Sequence, residues 1–305
     1  MHRPQHGKSP EVVLPGLGLN LHDHQVITDL FDRATQANLE TDQRIGATVH
    51  LPEQGRLLVS GDLHDNGPNL LRLLKLARLD LAGDHHLLLH ELIHGPHRVN
   101  GRDLSIGTLA RAAALKLQYP GQVHLMQANH ELAQYSGDEI TKDGVGVVDA
   151  FNLGVQFIYG EHAGHVRSVM RRFIASFLLA VRCANGIQCS HSLPSPHQLS
   201  WFDPAVLDRV PTEADLASGG SAHAMVWGRR HDQDLADRLA EMWPVRLFIV
   251  GHQPAEMGYE TEGDSILIMA SNHDHGVALP IDLSRRYELV DMVRELVPLM
   301  SVIVR

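Results

Sequence analysis

Side chains with oxygen and nitrogen donor atoms follow five short apolar segments of the chain. The segments are 57–60, 87–89, 123–127, 187–190 and 248–250, and the donors after them are Asp62 and His64, Glu91, Asn129, His191 and His252. Because ligands of layered α/β folds bind at the carboxyl ends of strands, we expect these donors to converge. Two carboxylates, one amide oxygen and three imidazoles are enough for two metal ions that share a carboxylate. This set, without sulfur, favours Mn, Fe or Zn over Mg.

Each of these signals taken alone has an ordinary structural explanation. A single histidine at a strand end is usually packed and hydrogen-bonded, and Asn129 is also a residue type that begins helices. The alternative is therefore a soluble α/β domain with a histidine-rich core and no metal. The joint occurrence at five segment ends favours the metal interpretation.

The elements that must position these donors alternate between two kinds of apolar pattern. Helical spacing is found over 23–39, 70–79, 104–117, 166–177 and 235–242. Strand-like runs lie at 47–51, 56–60, 87–89, 123–127, 247–250 and 266–270, and a hairpin is predicted around Ala184-Asn185-Gly186. The alternation predicts an α/β fold, and the strand-rich later part adds antiparallel pairing, so we expect a mixed layered sandwich.

Composition excludes several classes of protein. The 305 residues carry a net charge of −10, which argues against a nucleic-acid partner, and two cysteines exclude a disulfide scaffold. The chain has no apolar run long enough for a membrane span and no secretory signal, so we expect a cytoplasmic protein. We expect residues 1–20 to be a flexible segment and residues 21–305 to form a single domain. The sequence leaves the oligomeric state open.

The order of the motifs resembles that of metallophosphoesterases of the phosphoprotein-phosphatase (calcineurin-like) type. That family has GDxH, GDxxDRG, GNHE, a histidine after a strand and a late GH. The corresponding segments here are Gly61-Asp62-Leu63-His64, 90–96, Ala128-Asn129-His130-Glu131, His191 and Gly251-His252. The resemblance covers roughly residues 55–285. It implies two mixed β-sheets in a sandwich flanked by helices, with residues 21–305 as one metallophosphoesterase-like domain.

The resemblance also implies a role for each matching residue. Asp62 and His64 would bind the first of two divalent metal ions, Glu91 would bridge both, and the second ion would take Asn129, His191 and His252. His130 would be the general acid. The implied activity is that of a phosphomonoester hydrolase similar to Ser/Thr phosphatases, which attacks a phosphorylated substrate with a metal-activated hydroxide.

The second motif departs from the family pattern. It reads His90-Glu91-Leu92-Ile93-His94-Gly95-Pro96, so the bridging Asp is replaced by Glu91. The family's second Asp, which orients the catalytic His, is replaced by His94, and the phosphate-binding Arg by Gly95. We therefore predict that Arg98 or Arg102 replaces this Arg and that Arg229 or Arg230 forms a second contact with the phosphate. His94 would hydrogen-bond the substrate or bind a metal.

Two other functions fit parts of the sequence. Residues 90–94 match HExxH, the zinc-protease pattern that places two histidines one helical turn apart. That interpretation leaves Asp62, His64 and His252 without a role, and Gly95-Pro96 would end the helix early. The altered second motif would also suit a non-catalytic relative of phosphatases that only binds metal.

Overall fold

The computed structural model describes residues 18–142 and 144–304. In these residues the strands are β1 (Arg44–Ile45), β2 (Thr48–Leu51), β3 (Arg56–Asp62), β4 (His85–His90), β5 (Val123–Met126), β6 (Thr141–Lys142), β7 (Val145–Gly146), β8 (Ala180–Cys183), β9 (Ile187–Cys189), β10 (Leu247–Val250), β11 (Tyr259–Glu262), β12 (Ile266–Met269), β13 (Val277–Asp282) and β14 (Val297–Pro298). The α-helices are α1 (His24–Leu39), α2 (Gly67–Ala77), α3 (Ile106–Gln118), α4 (Asn129–Ser136), α5 (Val147–Tyr159), α6 (Ala163–Ala175), α7 (Glu213–Leu216), α8 (Ser221–Trp227), α9 (Gln233–Met242) and α10 (Leu289–Glu295).

Two mixed sheets contain nearly all of these strands. One sheet has the order β1-β2-β8-β9-β10-β12-β11, the other has the order β14-β13-β3-β4-β5, and β6 and β7 form a separate pair. Strands β3, β4 and β5 run parallel, as do β9, β10 and β12. Each parallel group therefore brings several carboxyl ends to one edge of its sheet.

The alternation of side chains along the strands explains the four layers. In β3, Val59 packs between the two sheets, whereas its neighbour Leu58 packs against the helices on the other side. In β10, Ile249 lies between the sheets and Phe248 faces the helices that cover the longer sheet. Both sheets are thus buried on two faces, which gives an order of helices, sheet, sheet, helices.

The predicted fold class is confirmed, with differences in the helical part. The sequence did not predict α5, and the predicted helix over 166–177 is α6, which begins and ends slightly earlier.

The division into a flexible segment 1–20 and a single domain 21–305 stays a prediction, and residues 1–17 lie outside the described part. Among the described residues, no helix combines the length and apolarity that a bilayer crossing requires.

Candidate metal centre

The six side chains expected to converge lie together at the carboxyl edges of the two sheets. Asp62 ends β3, Glu91 follows β4, and Asn129 begins α4 after β5, while His191 and His252 follow β9 and β10. All six, including His64, are at most 8% exposed. All but His191 line a cleft of about 430 Å³, and we call the six side chains its floor. The other lining residues, which we call its walls, include Trp227, Gln253, Glu256, Asn272 and His273.

Glu91 has a central position in this arrangement. Its Oε2 lies 3.3 Å from His64 Nε2, and its Oε1 lies 3.6 Å from His191 Nε2. The loop that carries Glu91 is fixed by the buried Glu131 carboxylate, which accepts hydrogen bonds from the backbone N–H groups of Leu92 (2.7 Å) and Ile93 (3.2 Å). The Glu91 carboxylate can therefore reach both halves of the cleft floor.

On the other side of the floor, Asp62 and Asn129 contact His191 and His252. The backbone N–H of His252 donates to Asp62 Oδ2 at 2.9 Å. Asn129 Oδ1 lies 2.8 Å from His191 Nε2 and 3.0 Å from His252 Nδ1. Gly251 permits this approach, because a Cβ there would lie 2.1 Å from Asp62 Oδ1.

Two observations show that these residues fit bound metal ions. Asp62 Oδ1 is buried without a hydrogen-bond partner, although His90 Nδ1 and His191 Nδ1 lie 3.5 and 3.6 Å away. His64 Nδ1 donates to the carbonyl of Ile93 at 3.1 Å, so in the neutral ring the lone pair on Nε2 faces the Glu91 carboxylate. Two electron-rich atoms facing each other in a buried site are stabilised by a cation.

The donor atoms also form two compact groups. Asp62, His90 and His191 form one, and His64, Glu91 and His130 form the other, with the atoms of each group within 4.8 Å of one another. This differs from the predicted partition, because His90 enters one group and His130 the other. The alternation of β4 could have indicated His90, since His86, Leu88 and His90 share one face of the strand.

Burial favours the neutral form of His90, His191 and His252. It lowers the pKa of His90, lowers the pKa of His191 well below its usual value, and lowers the pKa of His252 to about 4, where Arg229 adds to the effect. The neutral ring is the form that binds a metal ion. Burial likewise raises the pKa of the Glu131 carboxyl to about 7.

His130 and His94 form a pair at one side of the floor. His130 lies in the first turn of α4 and lines the cleft, with its Nε2 3.8 Å from Glu91 Oε1 and its Nδ1 2.9 Å from His94 Nδ1. His94 is only 1% exposed and stacks edge-on against Phe151. His94 does not line the cleft, and its predicted role in binding substrate or metal stays a prediction.

The arginine predictions separate in the structure. Arg229 is exposed and lines the cleft, whereas Arg230 is exposed but does not lie in its wall. A side chain at Gly95, where the resembling family has its Arg, would collide with Asp65, because a Cβ there would lie 2.6 Å from Asp65 Cβ. This local packing explains why a phosphate-binding arginine has no room at position 95.

Several residues of the centre have a left-handed backbone. His64, Glu91, His94 and His252 have φ values of 44°, 51°, 59° and 65°. This conformation costs a non-glycine residue about 1 kcal/mol or more. The centre is thus formed at a local cost in backbone energy.

The HExxH alternative has no structural support. His90 ends strand β4, and residues 91–96 contain no helix. The two histidines are therefore not one helical turn apart. They make separate contacts, His90 with His191 and His94 with His130.

The fold is similar to that of solved phosphatase structures. One is a protein serine/threonine phosphatase from Saccharomyces cerevisiae with similarity to human phosphatase PP5 (TM-score 0.62, 14% identity, 85% of this chain and 83% of that chain covered). Another is a cold-active protein-tyrosine phosphatase of a psychrophilic Shewanella species (TM-score 0.56, 13% identity, 83% and 81% covered). No protein-family model and no curated protein sequence matches the chain. At these identities the similarity shows a shared fold, and it confirms the resemblance at that level.

Proposed function

We propose that this chain is a metal-dependent phosphomonoester hydrolase similar to Ser/Thr phosphatases. The observation that supports this most strongly is the buried floor of the cleft, where carboxylates, an amide oxygen and neutral imidazoles from five strand ends meet. The same end of the sandwich carries an open cleft of about 430 Å³ and a cationic side chain, Arg229. A phosphate group needs such a combination of cations and open space.

The residues that would hold the metal ions are those of the floor. Asp62, His64 and Glu91 would bind one ion, and Glu91, Asn129, His191 and His252 the other. The donor set suits Mn, Fe or Zn. When bound, two such ions would polarise the phosphate and lower the pKa of a bound water to near neutrality.

Two cleft residues of the chain itself would act on the substrate. Arg229 would contact the phosphate oxygens, because it is a cationic residue that lines the same cleft as Asp62 and Glu91. In its protonated form, His130 would deliver the Nε2 proton to the leaving oxygen and become neutral, since this nitrogen faces the Glu91 side of the cleft. The partner of this protein would be a phosphorylated protein or a small phosphoester, entering from solvent.

The experiment that tests this proposal combines metal analysis with a substrate panel. Chelator-treated protein is loaded with Mn, Fe or Zn and assayed on p-nitrophenyl phosphate and on phosphoserine, phosphothreonine and phosphotyrosine peptides. We expect about two ions per chain, as in two-metal sites, and turnover that depends on them. Two bound ions without turnover would support the non-catalytic alternative, and absence of metal would support the histidine-rich domain.

A further inference from the structure

We propose that a second cleft of the molecule, lined by arginines of helix α6, binds a short acidic peptide segment of a partner protein. This second cleft, which we call the basic groove, has a volume of about 550 Å³ and lies between α4, α5 and α6. It shares no lining residue with the cleft of the candidate metal centre. The binding of an acidic segment is therefore independent of the proposed function.

The basic groove carries positive charge on a chain whose net charge is −10. Arg167, Arg171 and Arg172 line it, and none of its lining residues is acidic. Arg172 is neutralised, because its Nη2 lies 2.8 Å from Asp32 Oδ1. Arg167 and Arg171 form no ion pair with any residue of the ranges 18–142 and 144–304, so two guanidinium charges remain for a ligand. A small cationic surface on an anionic chain favours a short acidic segment over a long polyanion such as nucleic acid.

Two acidic residues follow the groove in the chain without lining it. Asp138 and Glu139 come directly after Gly137, which does line it. The Glu139 carboxylate accepts hydrogen bonds from the backbone N–H groups of Val148 and Asp149 at 2.9 and 3.1 Å, so it is directed to the start of α5. Asp138 is exposed, where salt and water screen its charge.

The polar groups of the groove are arranged as hydrogen-bond donors. Asn152 Oδ1 accepts a hydrogen bond from Gln134 Nε2 at 3.1 Å, which leaves the Asn152 amide N–H groups to donate to a ligand. The guanidinium carbon of Arg171 lies 5.1 Å from the centre of the Tyr135 ring, a contact that orients the guanidinium while its N–H groups can still donate. Guanidinium and amide donors together suit carboxylate oxygens.

The length of the basic groove favours a peptide over a single small anion. Its lining follows α6 from Gly164 to Ala175, which is about 16 Å at about 1.5 Å per residue. An extended chain of about five residues covers this length, at about 3.3 Å per residue. Arg167 and Arg171 lie one helical turn apart, about 6 Å along the axis. Alternate side chains of an extended peptide point to the same side about 6.6 Å apart, so acidic residues two positions apart match the two arginines.

The basic groove adjoins the cleft of the candidate metal centre. Gly137 lines the groove and Ile140 lines the cleft, and three residues of chain span at most about 11 Å. A protein whose acidic segment occupies the groove would therefore bring neighbouring residues, including a phosphorylated one, to the cleft. This consequence alone rests on the proposed function.

The test is a binding titration of the full chain, followed by fluorescence anisotropy. The probe is a fluorescein-labelled peptide with glutamates at alternate positions, and the comparison is an isomer of the same composition with adjacent glutamates. Adjacent side chains of an extended peptide point to opposite sides, so we expect the isomer to bind about fivefold more weakly through loss of one ion pair. Equal affinity of the two isomers, or tighter binding of a short RNA, would overturn the proposal.

Arginine variants provide the matched comparison. Arg167→Gln and Arg171→Gln should each weaken binding of the alternating peptide about fivefold, the upper value for an exposed ion pair. Arg238→Gln removes the same charge from an exposed position of α9 and should leave the affinity unchanged. An equal loss in Arg238→Gln would overturn the proposal, because the attraction would then be non-specific. Thermal unfolding checks that each variant folds.

A phosphopeptide joined to the alternating acidic segment connects the groove to turnover. We expect it to have a lower KM than the phosphopeptide alone, with unchanged kcat, and we expect Arg167→Gln to remove that advantage. Binding of the acidic peptide without any turnover would sustain this inference and refute the proposed function. Turnover without binding of the acidic peptide would refute this inference alone.

Discussion

Strand β4 has a buried histidine near each end, and the two ends differ in their partners. Near its start, His86 Nδ1 lies 3.1 Å from His124 Nε2. The buried Lys116 lies at the same end, where its Nζ donates to the carbonyl of Val123 at 3.0 Å. At the opposite end of β4, His90 meets the carboxylate of Asp62 and the ring of His191. The first end places imidazoles beside a lysine amine, and the second places them beside carboxylates.

The difference indicates that the charge of the neighbouring groups, and not the number of histidines, separates a candidate metal site from a packed core. Burial lowers the pKa of His124 well below its usual value, and the neighbouring His86 and Lys116 lower it further. Burial lowers the pKa of Lys116 to about 7, and the protonated form of Lys116 would repel a bound cation there. At the cleft end the carboxylates of Asp62 and Glu91 attract a cation. Under the proposed function, histidine would therefore serve packing at one end of the strand and metal binding at the other.

The largest expected effect comes from removing a carboxylate at the cleft end. Asp62→Asn should lose bound metal and reduce kcat/KM by at least the ~10²–10³-fold that follows loss of one electrostatic contact to the transition state. Metal content by mass spectrometry and phosphatase assays measure both effects. Asp84→Asn, the same change just before β4, is the matched control and should retain both properties. Equal metal content in the two variants would break the comparison.

The next effect concerns proton delivery at the cleft end. His130→Ala should lower kcat by about 10²–10⁴-fold on an alkyl phosphate, because the alkoxide leaves without a proton. The loss on p-nitrophenyl phosphate should be smaller, since nitrophenolate is a good leaving group. Metal content is the control, and it should stay near the wild-type value. Full activity on the alkyl phosphate would contradict the role of His130 as the acid.

A smaller effect is expected for Arg229, with its neighbour Arg230 as the comparison. Arg229→Ala should lower kcat/KM about tenfold, at the low end of the 1.5–3 kcal/mol assigned to hydrogen bonds with charged groups, because Arg229 is exposed. Arg230→Ala should have no effect, since Arg230 does not line the cleft. Steady-state kinetics on one phosphomonoester compares the two variants. A larger loss at Arg230 than at Arg229 would refute this assignment.

The smallest effect on activity is expected at the start of β4. The double variant His86→Leu/His124→Leu should retain metal and turnover, and its stability should change little, since both hydrogen-bonding partners are replaced. Folding lowers the pKa of His86 and of His124. Their contribution to the free energy of unfolding is therefore complete above about pH 6.5 and falls as the pH drops below that value. The variant should flatten that fall by up to about 1.4 kcal/mol per pH unit for each histidine. Chemical denaturation at several pH values would measure the slope, and an unchanged slope would contradict the prediction.

The sequence predicted the convergence of the donors because each of them follows a strand. The carboxyl ends of parallel strands meet at one edge whatever the details of packing, so Asp62, Asn129, His191 and His252 could be grouped without knowledge of the sheet order. The metal and catalytic roles of these residues stay predictions. The pairing of β3 with β13 and the position of α5 depend on contacts distant in sequence, which local patterns do not contain.

The roles of the altered motif were harder to predict, for a physical reason. Glu91 and His94 have left-handed backbone conformations, so the direction of their side chains does not follow from strand or helix periodicity. The contact between His94 Nε2 and Gln134 Oε1, at 3.2 Å, was weakly indicated by the sequence. Gln134 lies one helical turn after His130 and shares its face of α4. Arg229 and Arg230 are adjacent in sequence, and only the loop conformation separates the one that reaches the cleft from the one that does not.

At the left-handed residues of the cleft, a lower backbone strain and the retention of donor atoms exclude each other. Glycine tolerates that conformation, so His64→Gly or His252→Gly would relieve the backbone and remove a donor atom in a single step. Selection for thermal endurance alone would accordingly favour a scaffold whose cleft has lost its donors. A thermostabilisation campaign on this protein should therefore leave these positions untouched and seek its gains in the surface helices.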